Sequence, residues 1–144
     1  MKNKVVGMWR PETIQSTVNG QMMEPFGPKP SGLLCFHESM RFVELMSNPG
    51  VAHYASGSRE SGTAEEDKAA MVGNLALFGT YTVDADGNFT GNTVEGCTFP
   101  NWIGDHRTAD QLKEIVDSDR MLEIFQNGDV RVEIHWQRIS ASQK

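Results

Sequence analysis

Glu95 is the residue of this chain whose type and setting most invite chemistry. It lies in Val94-Glu95-Gly96, at the end of a hairpin arm that starts at Phe89, and the facing arm runs from Gly79 to Val83. Asp84-Ala85-Asp86-Gly87-Asn88 fits a three-residue loop, a type I turn closed by a left-handed Gly87. That turn pairs Val83 with Phe89. Strict alternation then sets Tyr81, Val83, Phe89, Gly91, Thr93 and Glu95 on one face, and Thr80, Thr82, Thr90 and Asn92 on the other. A carboxylate on so apolar a face is costly unless it is hydrogen-bonded, paired or protonated. Placed inside a pocket it would act as a general acid or base, or accept a ligand hydroxyl, with Tyr81 or Asn101 as its partner. The structural alternative is a strand that twists near Gly96 and leaves Glu95 to water or to an arginine at the rim.

Around this carboxylate, Phe36, Phe42, Met46, Tyr54, Met71, Leu75, Phe89, Phe99, Asn101 and Trp102 are the expected lining of a ligand chamber. Ordinary core packing accounts for the apolar ones nearly as well. Glu44 shares a strand face with Phe42 and Met46, which makes it either a second cavity carboxylate or an edge charge. The histidines are poor candidates. His37 sits in a turn, His53 in an irregular segment, His106 in a loop, and His135 on the outward face of the last strand. None stands at zinc-ligand spacing from another, and Cys35 and Cys97 form no CxxC pair, so no metal is expected and the cysteines read as buried free thiols. No phosphate loop, dinucleotide fingerprint or hydrolase elbow is present, and no cofactor is expected.

Strands must position these residues. Residues 9–18 alternate loosely and end in Asn19-Gly20, the strongest two-residue hairpin signal, with Gln21–Glu24 as the return. Residues 25–32 are too rich in proline and glycine for a central strand. Leu33–Phe36 and Met40–Met46 read as a pair turned through His37-Glu38-Ser39, and residues 48–62 as irregular. Thr63-Ala64-Glu65-Glu66 is a capping box, and Ala70, Met71, Asn74, Leu75 and Phe78 recur at helical spacing, which predicts a helix from Thr63 to about Gly79. Residues 109–116, 121–125 and 130–139 complete an antiparallel meander, the last with Val130, Val132, Ile134, Trp136 and Arg138 inward. The expected fold is mainly β, an antiparallel up-and-down barrel of eight or nine strands with one main helix, as a single domain over residues 1–144.

Composition narrows the partners. With 13 Lys and Arg against 19 Asp and Glu the formal charge is −6, which argues against a nucleic-acid partner. No apolar run approaches the ~20 residues that span a bilayer, and the N-terminus lacks the apolar core of a signal peptide. A cytoplasmic protein with no membrane partner is the expectation, with a homodimer left open.

Gly7-x-Trp9-Arg10, Glu24-Pro25-Phe26-Gly27-Pro28, Tyr54-Ala-Ser-Gly57, Gly62-Thr-x-Glu-Glu66, Phe78-Gly-Thr-Tyr-x-Val83, Val94-Glu-Gly96, Phe99-Pro-Asn-Trp102 and Trp136-x-Arg138 follow one another along most of the chain. In these pieces the sequence resembles the small lipocalin-like domain family of bacteria and fungi. The resemblance implies a calycin-type barrel around an internal cavity, plugged at its closed end by Trp9. It also implies histidines where Asn92 and Thr93 stand here, so chemistry that depends on such histidines is absent. Two functions follow as expectations. One is a barrel that binds a small, largely apolar organic molecule. The other is a cofactor-free cyclase, isomerase or dehydratase of secondary metabolism that uses Glu95 and Tyr81. An ionisable group held inside the cavity separates the two.

Overall fold

The computed structural model describes residues 2–140. Its strands are β1 (Gly7–Val18), β2 (Gln21–Met23), β3 (Ser31–Phe36), β4 (Arg41–Ser47), β5 (Asn74–Val83), β6 (Phe89–Cys97), β7 (His106–Thr108), β8 (Leu112–Asp117), β9 (Arg120–Asn127) and β10 (Val130–Ile139). A helix, α1 (Ala64–Val72), joins β4 to β5, and a short 3-10 turn covers Pro100–Trp102. The ladder runs β7-β6-β5-β4-β3-β1-β10-β9-β8, with β2 a flap on the end of β1. β6 and β8 approach each other across the remaining gap, so nine antiparallel strands make a nearly closed barrel.

Local chemistry explains most of the turns. Asn19 (φ 50°) and Gly20 (φ 79°) both take the left-handed conformation that a two-residue hairpin of matching twist requires. In the 84–88 loop the Asp84 carboxylate accepts from the backbone of Asp86 and Asn88 at 2.9 and 3.0 Å. Gly87 (φ 86°) supplies the expected left-handed corner.

The closed end is built on Trp9 and Trp136, both fully buried. Trp9 faces Arg138 across the β1–β10 ladder, and the guanidinium lies 4.1 Å from the indole centroid. Arg138 also donates through Nη1 to the Val6 carbonyl at 2.6 Å and through Nη2 to the Lys4 carbonyl at 3.0 Å, tying the N-terminal segment across the base. Phe36, Phe42, Tyr81 and Phe89 form the next layer, with the Phe36 ring 4.8 Å from that of Tyr81 and 5.8 Å from that of Phe89.

The expected helix is corrected at its C-terminal half. The capping box forms, with Thr63 Oγ1 accepting from the Glu66 amide at 3.1 Å and the Thr63 amide donating to Glu66 Oε1 at 2.9 Å. The helix then stops at Val72, with Gly73 as its cap, and β5 begins at Asn74. Leu75 and Phe78 fit a helical period, whereas Leu75 and Leu77 fit a two-residue one. Pairing with β4 from Ser47↔Asn74 to Arg41↔Thr80 decides between them, because it satisfies every second backbone group and buries Leu77 and Tyr81. Met71 and Phe78 are therefore exposed, and α1 buries no residue. It is held outside the barrel by Tyr54, whose hydroxyl donates to Asp67 at 2.8 Å, and by the Ala55 amide on Glu66.

Candidate functional site

Two bulges decide which β6 residues face inward. Val83 pairs with Phe89 but Thr82 pairs with Gly91, so Thr90 is an extra residue and the alternation inverts beyond it. Gly91 sits at φ 148°, and a Cβ there would strike the Arg107 carbonyl oxygen. Glycine thus lets β7 lie against β6 with Arg107 opposite Asn92. Asn92 and Val94 point into the barrel, whereas Thr93 and Glu95 point out. Glu95 is 41% exposed and faces Arg41 Nη1 at 3.2 Å on the outer wall. The interior role expected of Glu95 is corrected by that placement.

Tyr81 does face inward, but at the closed end. Its hydroxyl donates to the His37 carbonyl at 2.6 Å and accepts from Asn3 Nδ2 at 2.8 Å, so its polar end is already satisfied away from any chamber.

The chamber occupies the other half of the barrel, with a volume of about 110 Å³. Ile14, Leu77, Leu112, Val132 and Ile134 line its walls, and Pro25, Phe26, Trp102 and Phe125 surround its mouth. Phe26 is buried there by a tight turn in which the Gly27 amide bonds the Glu24 carbonyl at 3.0 Å. Of the expected lining residues, Met46, Leu75 and Trp102 are in the wall. Phe36, Phe42 and Phe89 belong instead to the closed-end aromatic layer, and Tyr54 and Met71 lie with α1. Phe99 packs edge-on against Trp102 at 5.5 Å and is itself partly exposed, while Asn101 is exposed on the 3-10 turn.

Six buried polar side chains gather in this half: Ser16 from β1, Glu44 from β4, Asn92 from β6, Arg107 from β7, Glu114 from β8 and Glu123 from β9. All but Glu114 line the chamber, and Glu114 stands opposite Glu123 in the β8–β9 ladder. Each glutamate lies at the centre of an alternating inward set: Phe42-x-Glu44-x-Met46, Leu112-x-Glu114-x-Val116 and Met121-x-Glu123-x-Phe125. That pattern is legible in the sequence, although sequence reasoning singled out only Glu44 among them. Arg107, in a three-residue strand, has no periodic context to betray it.

Burial and mutual charge set the protonation of the cluster. Burial, and then the charge of Glu123, push Glu44 well above the ordinary carboxylate range, and Arg107 only partly opposes this. Glu114 is raised in the same way by burial and by Glu123. Burial also raises Glu123, but hydrogen bonds from Glu114 and from Trp136 Nε1 (3.0 Å) and the charge of Arg107 pull it back. Of the three, Glu123 is the one whose charged form is favoured by a hydrogen bond, from Trp136 Nε1.

Arg107 is lowered by burial and remains a cation. Its guanidinium lies 4.7 Å from the Trp102 ring centroid and 5.2 Å from that of Phe125. Among the described residues, the ion pairs are all made by other arginines, on other carboxylates. Among the described residues, four buried side-chain atoms lack a hydrogen-bond partner: Glu44 Oε2, Asn92 Oδ1, Arg107 Nη2 and Glu114 Oε2. Glu114 Oε2 lies in the β8–β9 wall, on the residue opposite Glu123. The other three belong to residues that border the chamber.

A closed-ended antiparallel barrel with an inner chamber is a calycin-type architecture. Residues 6–139 match the family model described as a lipocalin-like domain, and the chain belongs to that family. No curated protein matches it. A barrel of this kind, with a chamber inside, fits small-molecule binding. Among the described residues no helix is long and apolar enough to cross a membrane, and no cluster of three or more His, Cys, Asp or Glu is arranged to hold a metal ion.

Proposed function

We propose that the barrel binds a compact, neutral, largely apolar molecule that carries a carbonyl oxygen and a hydroxyl group. The carrying observation is the set of three unpartnered polar atoms on buried residues that border an otherwise apolar chamber. An unmade hydrogen bond on a buried group costs about 1–3 kcal/mol, and a ligand that completes it recovers that energy. Arg107 Nη2 is a donor and calls for a carbonyl; Asn92 Oδ1 is an acceptor and calls for a hydroxyl. Protonated Glu44 bonds either. Arg107 and Glu123 balance each other in charge, which favours a neutral occupant over an anion. A chamber of about 110 Å³ is comparable to the ~150 Å³ that holds a benzene ring, so the occupant is one ring or a short branched chain.

Calorimetric titration with acetoin, benzene and lactate, each small enough for the chamber, tests this reading. The neutral hydroxyketone is expected to bind at least tenfold more tightly than the other two. Arg107→Met, which keeps the stacking volume and removes the donor, is expected to abolish that preference. Equal affinity for the hydrocarbon, or a preference for the lactate anion, overturns the reading.

A further inference from the structure

We propose that the chamber enolises such a carbonyl ligand, with Glu123 as the base, Glu44 as the acid, and Arg107 as a second donor to the carbonyl oxygen. This rests on the binding reading above and adds a reaction to it. Glu44 and Glu123 come from opposite walls. In the ladder β4 and β9 are separated by β3, β1 and β10 one way round, and by β5, β6 and the β7–β8 seam the other way. Both carboxyl groups line the same chamber, so a ligand between them meets one on each side. Arg107 enters from the seam, and its Nη2 has no hydrogen-bond partner among the described residues.

The two carboxyl groups are also differentiated. Glu123 is held by Trp136 Nε1, a contact that favours its charged form. Glu44 Oε2 has no such partner and faces Glu123 and Arg107 as its charged neighbours. Arg107 in turn has Asp105 and Cys97 near it besides the two glutamates. Environments that drive two titratable groups apart in one cavity divide the acid and base roles between them.

The step balances without a co-reactant. Glu123 takes a proton from the carbon beside the carbonyl, and the C–H electron pair forms a C=C bond. The carbonyl π pair moves to oxygen, where Arg107 stabilises it and Glu44 supplies a proton. A ketone becomes its enol, Glu123 ends protonated and Glu44 ionised. Reversal restores both, and in deuterium oxide it returns a deuteron to carbon once Glu123 has exchanged with solvent.

Proton NMR of acetoin in deuterium oxide reads this directly as loss of the signal from the methyl group beside the carbonyl. The wild-type protein is expected to accelerate exchange over buffer. Glu123→Gln and Glu44→Gln are each expected to slow it by about 100-fold while calorimetry still shows binding. Glu95→Gln, on the outer wall, should leave the rate unchanged. Should Glu123→Gln fail to give native tryptophan fluorescence, Glu44→Gln and the wild-type pH profile carry the test; the rate should peak between ionisation of Glu123 and ionisation of Glu44. Binding without exchange above buffer overturns the enolisation and leaves the binding reading intact. Exchange that persists in both glutamine variants overturns the assignment of residues. No binding at all overturns the binding reading and this inference with it.

Discussion

Glu114 and Glu123 stand directly opposite each other on β8 and β9, both buried, and burial together with the neighbouring Glu123 raises Glu114 well above the ordinary carboxylate range. Two such groups side by side in an apolar wall cannot both ionise without large cost, so one proton is retained between them. Trp136 Nε1, at 3.0 Å, fixes the charged partner from the closed-end side. The pair thus joins the plug of the barrel to the wall of its chamber.

Stability should fall as pH rises. The carboxyl groups of Glu44, Glu114 and Glu123 are all raised in the folded state, first by burial, so folded protein binds protons more tightly than unfolded chain. Their contribution is fully present below the ordinary glutamate value of about 4.5 and is lost as pH climbs through the raised folded values. Glu114→Gln keeps a donor to Glu123 and removes one of these groups. Its unfolding midpoint should depend less steeply on pH, toward the alkaline side, than that of the wild type. Parallel midpoint-against-pH curves for the two proteins would contradict the assignment.

Arg138→Ala should destabilise by about 2–3 kcal/mol, because it removes the stack on Trp9 and two charge-assisted bonds to the Val6 and Lys4 carbonyls. Arg138→Lys should recover less than half of that, since an ammonium cannot span both carbonyls in one plane. Urea unfolding followed by tryptophan fluorescence measures both. A lysine variant as stable as the wild type would argue that the positive charge alone matters.

The boundary between α1 and β5 can be read from three truncations. Leu77→Ala, inside the barrel, should cost ~2–5 kcal/mol. Met71→Ala and Phe78→Ala, both on the outside, should change stability by about 0.5 kcal/mol or less. A helix continuing to Gly79 would reverse this ranking for Phe78, so comparable losses at Leu77 and Phe78 would be the adverse result.

Gly91→Ala is expected to cost about 2 kcal/mol or more. It puts a Cβ at φ 148° and drives it against the Arg107 carbonyl oxygen. The same displacement moves β7 and with it the Arg107 guanidinium, so hydroxyketone affinity should fall along with stability. A variant that loses stability but binds as well as the wild type would show that β7 does not position the donor.

The sequence by itself determined what local chemistry decides. Asn19-Gly20 and the Asp84–Asn88 loop each admit essentially one hairpin geometry, so their registers follow from the residues alone. Alternation in the last strand placed Trp136 and Arg138 inward and His135 outward, and the Trp9–Arg138 stack follows from that register. The Thr63–Glu66 box started its helix as read.

Tertiary structure decided the rest. Residues 74–78 satisfy both a helical and a strand period, and only pairing with β4 breaks the tie. One extra residue at Thr90 inverts the face of β6, because side chains alternate with a period of two; a bulge of that kind answers to a partner strand, here β7 against Gly91. It sent Glu95 outside and brought Asn92 in. The buried polar set comes from β1, β4, β6, β7, β8 and β9, whose members are scattered from Ser16 to Glu123 in the chain. Period-two patterning shows that each of the three glutamates faces inward, but that Glu44 and Glu123 share one chamber with Arg107 depends on how the barrel closes.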